Sequence, residues 1–329
     1  MQHRPLLLLT RAAHNTCMSD SLRKARGLLL GVAVGDALGA AFEGHRSVDG
    51  DDLVRQERAT TRLRYTDDTA LTLVLARHLA ARSNLVSVDE DALATELARE
   101  WHREPWRGYG AGSREIFERI LTGTPWRQAS EDCFGGQGSY GNGAAMRVAP
   151  IALVATGPSH AIELARRSAV VTHAHHHGRH GAMLQACAAF LALNSDPGTP
   201  LDRQAFLDHL ARTVERTDWR TRLNTVRTLL DSASPAVAAS HLGNDAAAFT
   251  SVPLALLAFL QYPDQPAETI RYALRAGGDT DTIASMAAAL TTARTGIQAL
   301  PSAWLERLEQ ATEIGELADT LAERMSPSQ

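Results

Sequence analysis

Four glycines, Gly27, Gly31, Gly35 and Gly39, recur every four residues inside an apolar run. In the same run Leu22, Ala25, Leu28, Leu29, Val32 and Leu38 keep three- and four-residue spacings, which predicts a helix over residues 21–42. A glycine stripe on one helical face allows a second backbone to approach closely, so this run is expected to be a central packed helix and not a membrane span. The rest of the chain carries the same period. Helices are expected at about 67–82, 88–103, 113–122, 143–156, 159–171, 180–194, 202–216, 219–231, 251–261, 267–276, 281–295, 301–311 and 314–325. Residues 45–65 read as polar and irregular, with a short extended piece at 63–65. Few stretches alternate with period two, so the expected fold class is all-α, a helix bundle without a sizeable sheet.

Composition narrows the function. The 329 residues are 44% hydrophobic and 21% charged, enough for a large core, and no break divides them clearly into domains. A net charge of −4 leaves no basic field for nucleic acid or an anionic membrane, so neither is expected as a partner. Cys17, Cys133 and Cys187 are too few and too scattered for a disulfide framework, which suggests a reducing, cytoplasmic setting. Lys24 is the only lysine, so there is no GK[ST] phosphate loop, and Schiff-base chemistry would have to rely on this one side chain, read here as surface-exposed. The Leu6–Leu9 run is too short for a signal or a span. Residues 1–17 are expected to be a disordered extension before a domain over 18–329, with Met18 as a candidate natural start.

Two acidic helix starts carry the chemistry. Gly277-Gly278-Asp279-Thr280-Asp281-Thr282 precedes the apolar run from Ile283 to Leu290, and Thr66-Asp67-Asp68-Thr69 precedes the run from Ala70 to Leu79. Either alone could simply cap its helix. Four carboxylates brought together repel one another and call for a cation, and hard oxygen ligands suit Mg²⁺ or Mn²⁺. The expectation is a site between two helix N-termini holding two metals about 3.5–4 Å apart. Asp36, inside the glycine-rich helix, is expected to hydrogen-bond a neighbouring helix end, whereas Glu43 leaves that helix where it could swing over a pocket.

Three further stretches are candidates for binding. Gly108–Ser113 is a glycine-rich turn before a helix, suited to an anion or simply flexible. Phe134–Gly143 has five glycines around Phe134 and Tyr140, aromatics better placed to stack on a base than to fill a core. In the histidine-rich turn, a zinc site is the sharper alternative, but His173 lining a pocket, with His175, His176, His177 and His180 exposed, is the expectation.

Taken in order, Thr66–Thr69, Gly108–Gly112, Gly138–Arg147, Thr172-His173 and Gly277–Thr282 resemble the motifs of the ADP-ribosylglycohydrolase family. The resemblance implies an all-α orthogonal bundle with a binuclear Mg²⁺ or Mn²⁺ centre. By motif position it implies Thr66, Asp67, Asp68, Asp279, Asp281 and Thr282 as metal ligands, with Asp281 bridging. It implies Glu43 as the acidic residue of a loop that closes on substrate, with Glu43, Asp68 and Asp281 as the catalytic set. Phe134 and Tyr140 would sandwich adenine, and Gly110, Gly112, Gly138, Ser139, Asn142 and His173 would cradle diphosphate and ribose. The implied reaction is Mg-dependent release of ADP-ribose from a modified protein, from poly-ADP-ribose or from O-acetyl-ADP-ribose. The form of the Gly138–Gly143 loop is most similar to the serine-type, polymer-cleaving branch, and a monomer is expected. Two rivals remain: a non-catalytic relative of the lens-crystallin kind, against which the complete acidic clusters speak, and a two-metal phosphohydrolase.

Overall fold

Ser19 opens the first helix: its hydroxyl accepts from the Leu22 amide at 3.3 Å, and Asp20–Gly39 follows as twenty helical residues. From Gly27 onward every residue of this helix is buried. Its partner is the helix Thr280–Thr295, buried along its whole length. The two run antiparallel, and the glycine stripe is the seam. A methyl group at Gly27 would lie 2.5 Å from the Thr292 carbonyl oxygen, at Gly35 2.4 Å from that of Ala284, and at Gly39 2.4 Å from the Cα of Asp281. The first helix is long and apolar enough to cross a bilayer, yet its apolar surface is spent on the interior of this fold.

The chain is seen here in a computed structural model that describes residues 18–81, 87–214 and 216–325. After Asp20–Gly39 come helices Gly50–Ala59, Asp67–Ala80, Glu90–Arg103, Ala111–Leu121 and Trp126–Gly136, then a 3-10 segment at Ala149–Leu153. Helices Pro158–Val170, His176–Leu193, Arg203–Thr213, Thr217–Leu229, Pro235–Leu242, Ala248–Gln261 and Pro266–Arg275 lead to Thr280–Thr295. Ser302–Leu305 and Ala311–Met325 complete the order. The expected all-α bundle is thus what forms, with no β-strand among the described residues. The predicted extension over 1–17 lies outside the described residues.

Several local expectations are corrected. Residues 143–156 are not an α-helix. Pro150 has no amide to donate, and the buried Arg147 guanidinium takes up the Gly143 and Ser168 carbonyls and the Thr172 hydroxyl, so turns and a 3-10 segment replace the ladder. The supposedly irregular 45–65 holds the helix Gly50–Ala59, started by Asp49 accepting from the Asp51 amide. The expected helix at 301–311 stops at Leu305, because Leu308 pairs with Leu63 in an isolated parallel bridge. The same bridge bears out the extended piece at 63–65. Helices Trp126–Gly136 and Pro235–Leu242 were not foreseen. Lys24 is not a free surface cation either: it is half-buried and donates to the Leu193 and Ser195 carbonyls at the end of another helix.

Candidate active site

The seam between the two central helices ends at the chemistry. Because Gly39 lets the backbones touch, the start of Thr280–Thr295 is pressed against the end of Asp20–Gly39, and the Thr280 hydroxyl donates to the Gly39 carbonyl at 2.9 Å. Gly277 and Gly278 have φ of +71° and +78°, and side chains there would strike the Arg46 and Asn244 backbones. That closeness is used. The Gly44 amide donates to the Gly278 carbonyl at 2.8 Å and the Gly278 amide to the His45 carbonyl at 2.7 Å, which fixes Glu43 beside Asp279.

Asp36 builds the other half. Its buried carboxylate accepts from the Thr66 and Thr69 amides, each at 2.9 Å, and from both threonine hydroxyls. It is a cap supplied by one helix to the N-terminus of another, as its position among apolar residues suggested. Burial nevertheless pushes its carboxyl up to about 6, against the pull of those hydrogen bonds. At both acidic helix starts the helix's own N-cap side chain makes no capping hydrogen bond, and of the four acids Asp281 alone accepts a first-turn amide among the described residues, that of Thr282 at 2.9 Å.

Asp67, Asp68, Asp279, Asp281 and Thr282 line one cleft of about 520 Å³ together with Glu43. Oxygens of Glu43, Asp279 and Asp281 lie within 4.8 Å of one another, and the Thr282 hydroxyl reaches Asp68 across the two helix starts at 3.2 Å. Burial, then neighbouring carboxylates, hold the Asp67 and Asp68 carboxyls well above the ordinary range and push Asp281 up to about 10. Glu43 is raised by burial and by Asp279. Asp68 Oδ1 is buried without a hydrogen-bond partner. An orphaned carboxylate oxygen amid repelling acids fits a hard divalent cation.

These shifts have a sign. The folded carboxyls bind protons more tightly than the unfolded ones, so their contribution to stability is complete below the unfolded value of about 4. It is lost as pH rises toward the folded values, about 10 for Asp281. In EDTA, the melting temperature is therefore expected to fall steadily from pH 5 to pH 9. Calorimetry showing a rise across that window would contradict the arrangement.

Substrate candidates occupy the rest of the cleft. Gly110, Gly112, Ser139, Asn142 and His173 all line it, as do Phe134 and Tyr140. Asn142 Nδ2 donates to Asp279 at 2.6 Å, tying the loop to the acids. His173 is buried, its Nδ1 lies 2.8 Å from the Thr172 hydroxyl, and burial together with Arg147 lowers it to about 3, so it meets a ligand as a neutral ring. Phe134 has φ +52°, a left-handed conformation uncommon for a bulky residue, and its ring is half exposed. The Phe134 and Tyr140 centroids are 5.9 Å apart and the rings tilted by 37°. A base stacked between them needs about 7 Å, so the rings must part to admit it.

Two candidates are placed elsewhere. Thr66 does not line the cleft; its hydroxyl donates to Asp36 at 2.8 Å. Gly138 does not line it either, and is a close-packing position whose Cβ would meet the His175 amide at 2.6 Å. The histidine turn also differs. His175 caps its helix and lies edge-on to Tyr140, His177 stacks on Phe249 at 4.5 Å, and neither is exposed. Ring nitrogens of His175, His176 and His177 approach within 4.8 Å, closer than consecutive histidines were expected to come. Ser113, in the Gly108–Ser113 turn, lines the cleft as well; sequence reasoning missed Met146 and the Asp245–Ala247 wall, although the Gly243-Asn244-Asp245 turn was a readable signal.

The sequence model of the ADP-ribosylglycohydrolase family matches residues 18–329. The chain belongs to this family. It is therefore a glycohydrolase, and the bond concerned is a glycosidic bond to ADP-ribose. ADP-ribosylhydrolase ARH3 of Homo sapiens is 36% identical over 92% of this chain and 93% of its own. The ADP-ribosyl-[dinitrogen reductase] glycohydrolase of Rhodospirillum rubrum is 27% identical over 88% and 92%. A solved structure titled ADP-ribosylglycohydrolase-related protein complex superposes with a TM-score of 0.70 at 28% identity, covering 94% of this chain and all of the other.

Proposed function

We propose that this family member is an Mg²⁺-dependent ADP-ribosyl-acceptor hydrolase of the serine- or polymer-cleaving type, with two cations held by Asp67, Asp68, Asp279, Asp281 and Thr282. The observation that carries the reading is the cleft itself: buried acids from both halves of the chain at one end, an aromatic pair at the other. Such cations supply orientation of the ribose hydroxyls and an acidified water. The protein's own residues do the rest. Phe134 and Tyr140 hold the base, Ser139, Asn142 and the Gly110–Gly112 backbone hold the diphosphate and ribose, and neutral His173 offers a hydrogen bond without a charge. Glu43, fixed beside Asp279 and open to solvent, is placed to exchange a proton with the leaving group or the incoming water.

Higher identity to ARH3, 36% against 27%, together with the form of the Gly138–Gly143 loop, weighs against the dinitrogen-reductase type of acceptor. The buried thiols of Cys133 and Cys187 suit a reducing cytoplasm. The test is a panel of serine-, arginine- and acetyl-linked ADP-ribose and the polymer, assayed with Mg²⁺ and with EDTA. ADP-ribose release from the serine-linked or polymeric substrates, abolished by EDTA and lowered at least a hundredfold by Glu43→Gln, is expected. Release of AMP or phosphate instead would mark a phosphohydrolase, and no release at all a non-catalytic relative.

A further inference from the structure

A second cleft, of about 470 Å³, opens beside the first and shares Gly108 with it. We propose that it is an acceptor-side subsite that takes the adjacent nucleotide unit of an ADP-ribose chain, a proposal that rests on the hydrolase reading above. The placement follows from the loop that forms one wall of the catalytic cleft. At Gly108 a Cβ would lie 3.7 Å from Asp67 Oδ1, and at Gly112 it would lie 2.8 Å from the Phe134 ring. The loop therefore runs from the acids to the aromatic pair. A substrate with its base at Phe134 has its reacting ribose at the acids, and its leaving group departs at the Gly108 end, where the second cleft begins.

The chemistry of this cleft is that of a nucleotide. In the extended piece around the Leu63 bridge, Leu63 and Tyr65 are buried, so the alternating Arg62 and Arg64 both face outward into the cleft. Among the described residues neither guanidinium has an ion-pair partner. Arg107, by contrast, is neutralised by Glu104 and Glu309. Trp106, which also lines this cleft, is 72% exposed, the highest value among the large hydrophobic side chains of the described residues. Two free guanidinia suit a diphosphate, and an open indole face suits a base. In an ADP-ribose chain the leaving group is a ribose hydroxyl of the next adenosine, so a base and two phosphates arrive at this spot together. An acidic peptide would use the arginines but has no call on the indole.

The experiment compares Trp106→Ala and the double variant Arg62→Ser/Arg64→Ser with the wild type on three substrates. These are a defined-length free ADP-ribose chain, O-acetyl-ADP-ribose, and a mono-ADP-ribosylated acidic peptide. Both variants are expected to raise KM for the chain on the order of tenfold, with kcat and both mono-substituted substrates within twofold of wild type. Unchanged KM for the chain overturns the proposal, as does a parallel loss on all three substrates. Loss confined to the peptide assigns the cleft to the acceptor protein and also overturns it. Wild-type release from O-acetyl-ADP-ribose but not from the chain removes the subsite and leaves the hydrolase reading intact; release from no substrate removes both.

Discussion

Asp68→Asn is expected to lower turnover on the order of a thousandfold and, at the same time, to raise the melting temperature of the metal-free protein. The two effects have one cause. Asp68 is fully buried, one of its oxygens lacks a partner, and Asp281 is the foremost of the charges that oppose its ionisation. An amide in its place keeps the shape, still accepts from the Thr282 hydroxyl, and is neutral among the other acids without having to take up a proton on folding. Relief on the order of 1 kcal/mol corresponds to about 1.5 °C in a chain of 329 residues. The same change removes a hard anionic ligand from the proposed cation site, and several kcal/mol of transition-state stabilisation with it. The thermal shift produced by Mg²⁺ should shrink accordingly. A variant that melts lower in EDTA, or that keeps wild-type turnover, would break the link between the buried acids and catalysis.

The second large effect concerns the seam. Gly35→Ala would place a methyl group 2.4 Å from the Ala284 carbonyl oxygen and 2.8 Å from the Ser285 amide nitrogen. Those are backbone atoms of the helix that carries Asp281, and they cannot turn aside as a side chain could. Helix propensity alone predicts a gain of about 1 kcal/mol for alanine over glycine, so the sign of the result is diagnostic. Overpacking is expected to win, with a net cost of about 1–3 kcal/mol and a fall of several degrees in melting temperature. Gly50→Ala is the matched control, since nothing lies within 4 Å of a Cβ at that position. It should be neutral or mildly stabilising in the same calorimetric scan. Equal behaviour of the two variants would mean that the helices do not meet as described.

Much of the site was legible because its residues announce themselves twice. Asp67 and Asp68, like Asp279 and Asp281, each open an apolar helix, and paired acids at such a place exceed what a cap needs. The aromatic pair was legible because Phe134 and Tyr140 sit among glycines, where no core can form around them. What escaped was the surroundings of these motifs. The Asp245–Ala247 wall has no reactive side chain pattern, and enters the cleft only because Gly278 lets the Asn244 backbone come close. The 143–156 segment carries a helical apolar pattern, yet a buried arginine competes for its carbonyls.

By itself the sequence determined the helical class, the glycine seam and the residue types at the chemistry, because periodicity, chain flexibility and charge are local properties. The tertiary structure decided which acids share a cleft, which helix end Asp36 caps, and that Thr66 serves Asp36 while Gly138 serves packing. It also decided that Arg62, Arg64 and Trp106 face one opening. Those outcomes depend on distances between residues far apart in the chain, and such distances are set by the packing of whole helices.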